Sequence, residues 1–156
     1  MRLGFKLAIL IGLAVFLMVN SSSALLPNFT KQELIEKSDA IVLGVVKDIR
    51  CSWADDHRQI FTYVSLQVLD QFKGQAFGPD LLVQIPGGTV GETTQWVSDT
   101  PKLSVGMQVI LHIYMHDNGY HRIYGWEKGA LQVENDVIPG YGMTVDQFRS
   151  LVANTK

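Results

Sequence analysis

The sequence predicts a mainly β chain: five strands closing as a small barrel, with one short helix before them and another after. Three observations carry this. The stretch Gln59 to Gly74 alternates cleanly, with Ile60, Val64, Leu66 and Val68 on one face and Phe61, Tyr63, Ser65 and Gln67 on the other. Four further β-branched runs are separated by Gly, Pro and Asn-Gly punctuation. Two capping boxes, Thr30 to Glu33 and Thr144 to Gln147, mark helix starts outside the strand block.

Taken in order, the chain opens with a secretory signal pattern over residues 1–24. Arg2 and Lys6 form a basic start, Leu7 to Val19 is an uncharged apolar run of 13 residues, and Ser21 to Ala24 supplies small residues for cleavage after Ala24. A membrane-spanning helix needs roughly 20 apolar residues, so a cleaved leader is the expectation and no stable membrane insertion follows it. The part from Leu25 to Lys156 is expected to form a single domain. It holds 11 basic and 15 acidic side chains, net −4 with His neutral, and no basic run that would suit nucleic acid. Cys51 is the only cysteine, so an exported chain of this kind rests on packing rather than on an internal disulfide.

A short helix is expected from Thr30 to about Lys37. The first strand spans Ala40 to Ile49, apolar on both faces at its start, with Gly44 marking a bulge or sharp bend. Arg50 to Arg58 reads as a polar connection to the long second strand. The third strand runs from Asp80 to Ile85 and ends at Pro86-Gly87-Gly88. Thr89 to Gly106 shows no period and reads as a long loop. The fourth strand runs from Met107 to Met115. Asn118-Gly119 signals a tight hairpin into a fifth strand from Tyr120 to about Trp126, which Ala130 to Val133 continues after Gly129. A terminal helix follows Thr144, with Val145, Phe148, Leu151 and Val152 as its packing face. Five strands with the long segment between the third and fourth is the element order of an OB-fold-like barrel; a β-sandwich of similar strand count is the alternative.

Three pieces of the chain together resemble a known pattern. They are Ser38 to Val46, then Val64 to Val68 leading into Phe72-Lys73-Gly74, then Leu103 to Gly106 leading into Val109-Ile110-Leu111. This layout resembles the netrin-like, tissue-inhibitor-of-metalloproteinases type of OB-fold domain. It is also similar to exported bacterial proteins of unassigned function. The resemblance implies the fold more than the activity. Inhibitors of that family begin with a Cys that grips the protease zinc. Here the expected start is Leu25 and the family's disulfide cysteines are absent, so that chemistry does not carry over.

OB-folds meet ligands on the face of the second and third strands and in the loops joining strands one to two and four to five. The first of those loops offers Trp53, Asp55, Asp56 and His57; the second offers Asp117, Asn118 and Tyr120. A two-residue Asn-Gly turn would set His116 opposite His121 with their Cβ atoms about 5 Å apart, a spacing at which two imidazoles can share a metal, with Asp55, Asp56 or His57 as third ligand if the loops meet. Ordinary turn chemistry explains the same residues without an ion. Trp53 and Tyr120 can stack on a sugar or a base. Trp96 and Trp126 read as core or half-buried packing. Cys51 with His57 suggests a thiol nucleophile and base, but no oxyanion motif accompanies them. The glycines of Pro86 to Gly91 lack the Lys and Ser or Thr of a phosphate loop, and no cofactor is expected.

The expectation is therefore an exported, non-enzymatic binding module whose partner is a protein or a surface glycan. A netrin-like protease inhibitor and a small metal- or thiol-dependent enzyme are the two alternatives.

Overall fold

The computed structural model describes residues 29–155. The expected leader and the residues from Leu25 to Asn28 lie outside the described residues. Helix α1 (Lys31–Lys37) starts where its capping box stands: Thr30 Oγ1 accepts from the Glu33 amide at 3.1 Å, and the Glu33 carboxylate accepts from the Thr30 amide at 2.9 Å. Its C-terminal carbonyls meet a cation, because Lys73 Nζ donates to the oxygens of Ile35 at 2.7 Å and Glu36 at 2.8 Å. Leu34 and Ile35 are buried beneath it.

Strands β1 (Ala40–Trp53) and β2 (Ile60–Lys73) form a long antiparallel pair. β1 runs four residues past its expected end at Ile49, so the expected connection Arg50 to Arg58 shrinks to Ala54 to Gln59. Arg50 and Ser52 are exposed there while Cys51 and Trp53 are half-buried, so the polar residues still alternate in a strand once β2 supplies a partner. The register shifts between Leu43 and Gly44, where the sequence marks a bulge. A Cβ at Gly44 would stand 2.8 Å from the Gln67 carbonyl oxygen, which explains the glycine.

β3 (Asp80–Pro86) pairs antiparallel with β2. The segment expected as a structureless loop folds into a small hairpin of β4 (Gly88–Val90) and β5 (Thr93–Gln95). β6 (Gln108–Met115) carries β1 on one edge. Its other edge carries β7 (His121–Ile123) and then β8 (Ala130–Val133). The continuation after Gly129 is thus present, but a 3-10 turn from Trp126 to Gly129 interrupts it. β7 pairs parallel with β3 at Val83 and His121. The strands β1, β2, β3, β7 and β6 therefore hydrogen-bond in a closed five-strand ring. β9 (Val137–Ile138) and β10 (Met143–Thr144) form a small ladder before helix α2 (Val145–Asn154).

Two apolar cores result. One fills the ring, with Val42, Val64, Leu66, Val83, Val109, Leu111 and Ile113 buried inside it. The other lies outside the ring against the helices and joins Ile35, Ile41, Ile110, Leu131, Ile138, Val145, Phe148 and Val152. Leu151, expected on the same helix face, is half-buried at its margin. Burying a Val, Leu, Ile or Phe side chain contributes roughly 1.5–3 kcal/mol, so both cores are substantial.

Candidate functional site

The site grows from the outer face of β2, β3 and β7. Alternation turns Val64, Val83 and Ile123 toward the ring interior, and therefore Tyr63, Gln84 and Arg122 outward. Gln84 points outward yet is only 2% exposed. Its Oε1 accepts from Arg122 Nε at 3.1 Å, Arg122 Nη2 at 2.8 Å and Asn118 Nδ2 at 3.0 Å, and its Nε2 donates to the Tyr63 hydroxyl at 3.2 Å. The Arg122 guanidinium lies over the Phe61 ring, 5.2 Å from its centroid. Tyr120 meets Tyr63 edge-on at 5.4 Å between centroids.

This cluster absorbs two residues that the sequence singled out, Asn118 and Tyr120. It adds four it did not single out as site residues: Phe61, Tyr63, Gln84 and Arg122. Phe61 and Tyr63 were legible as the outer face of the long strand. Nothing local in the sequence marks Gln84 or Arg122, because each is a single polar residue in a short strand.

The β6–β7 turn corrects the expected pairing. His116 donates its amide to the Tyr120 carbonyl at 2.9 Å, and Met115 rather than His116 stands opposite His121. Three residues, Asp117, Asn118 and Gly119, form the loop, not two. Asn118 Oδ1 accepts from the Tyr120 amide at 3.2 Å and lies 3.1 Å from His116 Nδ1, so the Asn side chain shapes the wider turn. A one-residue offset in an antiparallel ladder reverses the face of every side chain. His116 accordingly packs toward Tyr114, while His121 packs edge-on against Phe77, 5.1 Å between centroids. Burial pushes the His121 pKa down, with the Asp39 carboxylate pulling the other way. The two imidazoles do not face one another, and among the described residues no group of three His, Cys, Asp or Glu side chains could hold a metal ion.

The other expected loop goes elsewhere. Trp53 pairs with Ile60 at the end of the β1–β2 ladder and is half-buried; Asp55, Asp56 and His57 form an exposed turn in which Asp56 accepts from the Arg58 amide at 3.0 Å. This tip is fastened to the β4–β5 hairpin. The Ile60 amide donates to Gln95 Oε1 at 2.6 Å, Thr62 donates to the Gly87 carbonyl at 2.8 Å, and Cys51 Sγ lies 3.4 Å from Thr62 Oγ1. Trp53, Asp55, Asp56 and His57 therefore line neither the Arg122 cluster nor the cleft beside it. Trp96 also departs from expectation: it is 82% exposed just past β5, because the hairpin carries it off the ring. Trp126, expected in the same way, is 42% exposed along the cleft.

That cleft, about 580 Å³, adjoins Arg122 between β3, β7, Phe29 ahead of α1 and Lys37 at the end of α1. A row of rings forms one wall, each edge-on to the next: Phe29 to Tyr124 at 5.5 Å and Tyr124 to Tyr114 at 6.2 Å. Gly125, with φ of 76°, turns the chain at its floor, and a Cβ there would overlap Leu34 Cδ2. Lys37, Asp39 and Arg122 are the charged groups on its lining. Compared with protein-family models and with curated proteins, the chain matches none.

Proposed function

We propose that the chain is an exported, non-enzymatic binding module, an OB-fold-like barrel that meets a protein or surface glycan on the outer face of β2, β3 and β7. The ring order, with β7 parallel to β3, supports the barrel reading, since this fold closes five strands in Greek-key order. The signal pattern over residues 1–24 supports export, and among the described residues no helix is long and apolar enough to cross a membrane. One observation carries the binding reading. Arg122 is held by a buried Gln84 and flanked by Phe61, Tyr63 and Tyr120, so a charged, aromatic surface is already organised before any partner arrives.

A photo-cross-linking aromatic residue placed at Tyr120 in cells that make the protein tests this. The same probe at Leu69, exposed on β2 away from the cluster, is the control. A discrete adduct at position 120 and none at 69 is the expected result. Equal labelling at both positions would remove the basis for the reading.

A netrin-like inhibitor is the second reading. It is favoured by Phe29, the first described residue, which packs against Tyr124 at the cleft. Removing residues 25–28 should abolish binding on that reading and leave it intact on the first.

A further inference from the structure

Arg122 has five N–H donors in a planar fork. Two are used: Nε–H and one Nη2–H donate to Gln84 Oε1. The other Nη2–H and both Nη1–H groups have no partner among the described residues, and no carboxylate there lies within ion-pair distance of Arg122. A half-buried guanidinium held in place but left without an anion is unusual, because burying an unpaired charge is costly. Gln84 explains how it is tolerated. Its neutral oxygen fixes the inner edge of the fork without cancelling the charge.

The free edge, Nη1 with Nη2, matches two carboxylate oxygens in the bidentate manner. The charge count of the cleft narrows the anion. Arg122 and Lys37 face one Asp39, a surplus of one positive charge. Asp39 is itself committed, accepting from the Met115 amide at 2.9 Å. That surplus suits a monoanion rather than a phosphate dianion. The rest of the lining is largely aromatic or apolar, with Phe29, Tyr114, Tyr124 and Trp126 beside aliphatic side chains such as Pro86 and Met115.

We propose that this cleft binds a monocarboxylate carried on an aromatic or apolar body, its two oxygens accepting from the free edge of Arg122 and its body lying on the ring wall. The chemistry has two natural sources, a small aromatic acid or the C-terminus of a polypeptide ending in an apolar residue. This inference rests on the binding-module reading and names the ligand of the same region.

The test is a titration of the purified, ¹⁵N-labelled protein with N-acetylphenylalanine and with the peptide Ac-Gly-Ala-Gly-Phe, each as free acid and as amide. The side-chain Nε–H of Arg122 and the indole N–H of Trp126 are the reporters. At least one free acid should shift both saturably and bind at least tenfold tighter than its amide. Binding of the small acid alone identifies a small-molecule site; binding of the peptide identifies a chain terminus. Gln84→Glu supplies an internal carboxylate of the same shape, and the Tyr63 hydroxyl can turn to donate to it. That variant should fold and lose at least tenfold in affinity, as should Arg122→Lys, which keeps the charge but not the fork. Amides that bind as well as acids, or a Gln84→Glu variant that binds normally, would overturn the proposal. If both acids are silent while the Tyr120 cross-link persists, the carboxylate inference falls and the module reading stands; if the cross-link is lost as well, both fall.

Discussion

Gln84 holds Arg122 through a single oxygen, its Oε1 accepting from Nε at 3.1 Å and from Nη2 at 2.8 Å. The same atom takes a third hydrogen bond from Asn118, so one buried amide joins β3, β7 and the β6–β7 turn. Gln84→Leu keeps the volume and strips three donors of their acceptor. Asn118 is exposed and Arg122 half-buried, so the cost is that of the hydrogen bonds themselves, about 0.5–1.5 kcal/mol. The urea midpoint should fall accordingly with the slope unchanged. An unaltered midpoint would mean that the three donors find water instead and that the cluster is not structural.

Phe148 anchors α2 to the second core. It is fully buried and meets Phe72 and His112 edge-on, at 5.8 Å and 5.9 Å between centroids. Phe148→Ala should cost about 3–5 kcal/mol, the range for deleting a buried aromatic side chain. Removing α2 altogether should lower the thermal midpoint for the same reason. An unchanged midpoint on truncation would show that the ring stands without the outer core.

The long second strand, both capping boxes and the packing face of α2 were legible because each is written in local spacing: a period of two, a three-residue cap, a helical stripe. The bulge at Gly44 was legible because glycine inside a buried run has few other uses. The β4–β5 hairpin was not, since its strands are three residues each and are held by pairing rather than by pattern. The reach of β1 to Trp53 was hidden behind polar residues that only a partner strand makes sensible. For the site, Asn118 stood out as turn chemistry and Tyr120 as an aromatic able to stack, but His116 and His121 depended on a register that the three-residue turn shifted by one. Gln84 and Arg122 meet only because β3 and β7 are neighbours in the ring, a long-range fact with no local signature.

His112 makes stability depend on acid. Its ring is fully buried on β6, with Nδ1 3.2 Å from the Gly129 carbonyl and Nε2 without a partner. Burial pushes its pKa from 6.5 down to about 4; the Gly129 carbonyl pulls upward and the Lys73 charge adds to the fall. The folded state therefore keeps His112 neutral while the unfolded chain takes up a proton below pH 6.5. Above that pH the group adds no pH dependence. Stability is lost as pH falls from 6.5 toward 4, to a total of about 3 kcal/mol, and the slope from this group ends below 4. His112→Leu changes the absolute stability through the lost hydrogen bond, so the slope is the readout. Unfolding free energies at several pH values should show a flatter dependence in the variant across this window. Parallel curves would mean that His112 opens to water before it is protonated.

Trp96 separates exposure from burial by a direct optical test. Its side chain is 82% exposed on the β4–β5 arm, whereas Trp53 is half-buried at the end of β1. An indole in water emits further to the red than one against apolar atoms. Trp96→Ser should thus remove the red side of the emission band and shift the remaining maximum to shorter wavelength. The stability should change by no more than about 0.5 kcal/mol, as for other exposed substitutions. A large destabilisation would place the Trp96 ring against the ring of strands after all. The Tyr120 cross-link should survive this change, because Trp96 lines neither the Arg122 cluster nor the adjoining cleft. Losing the adduct on Trp96→Ser would instead extend the binding surface to the hairpin arm, where a large apolar side chain left in water is otherwise unexplained.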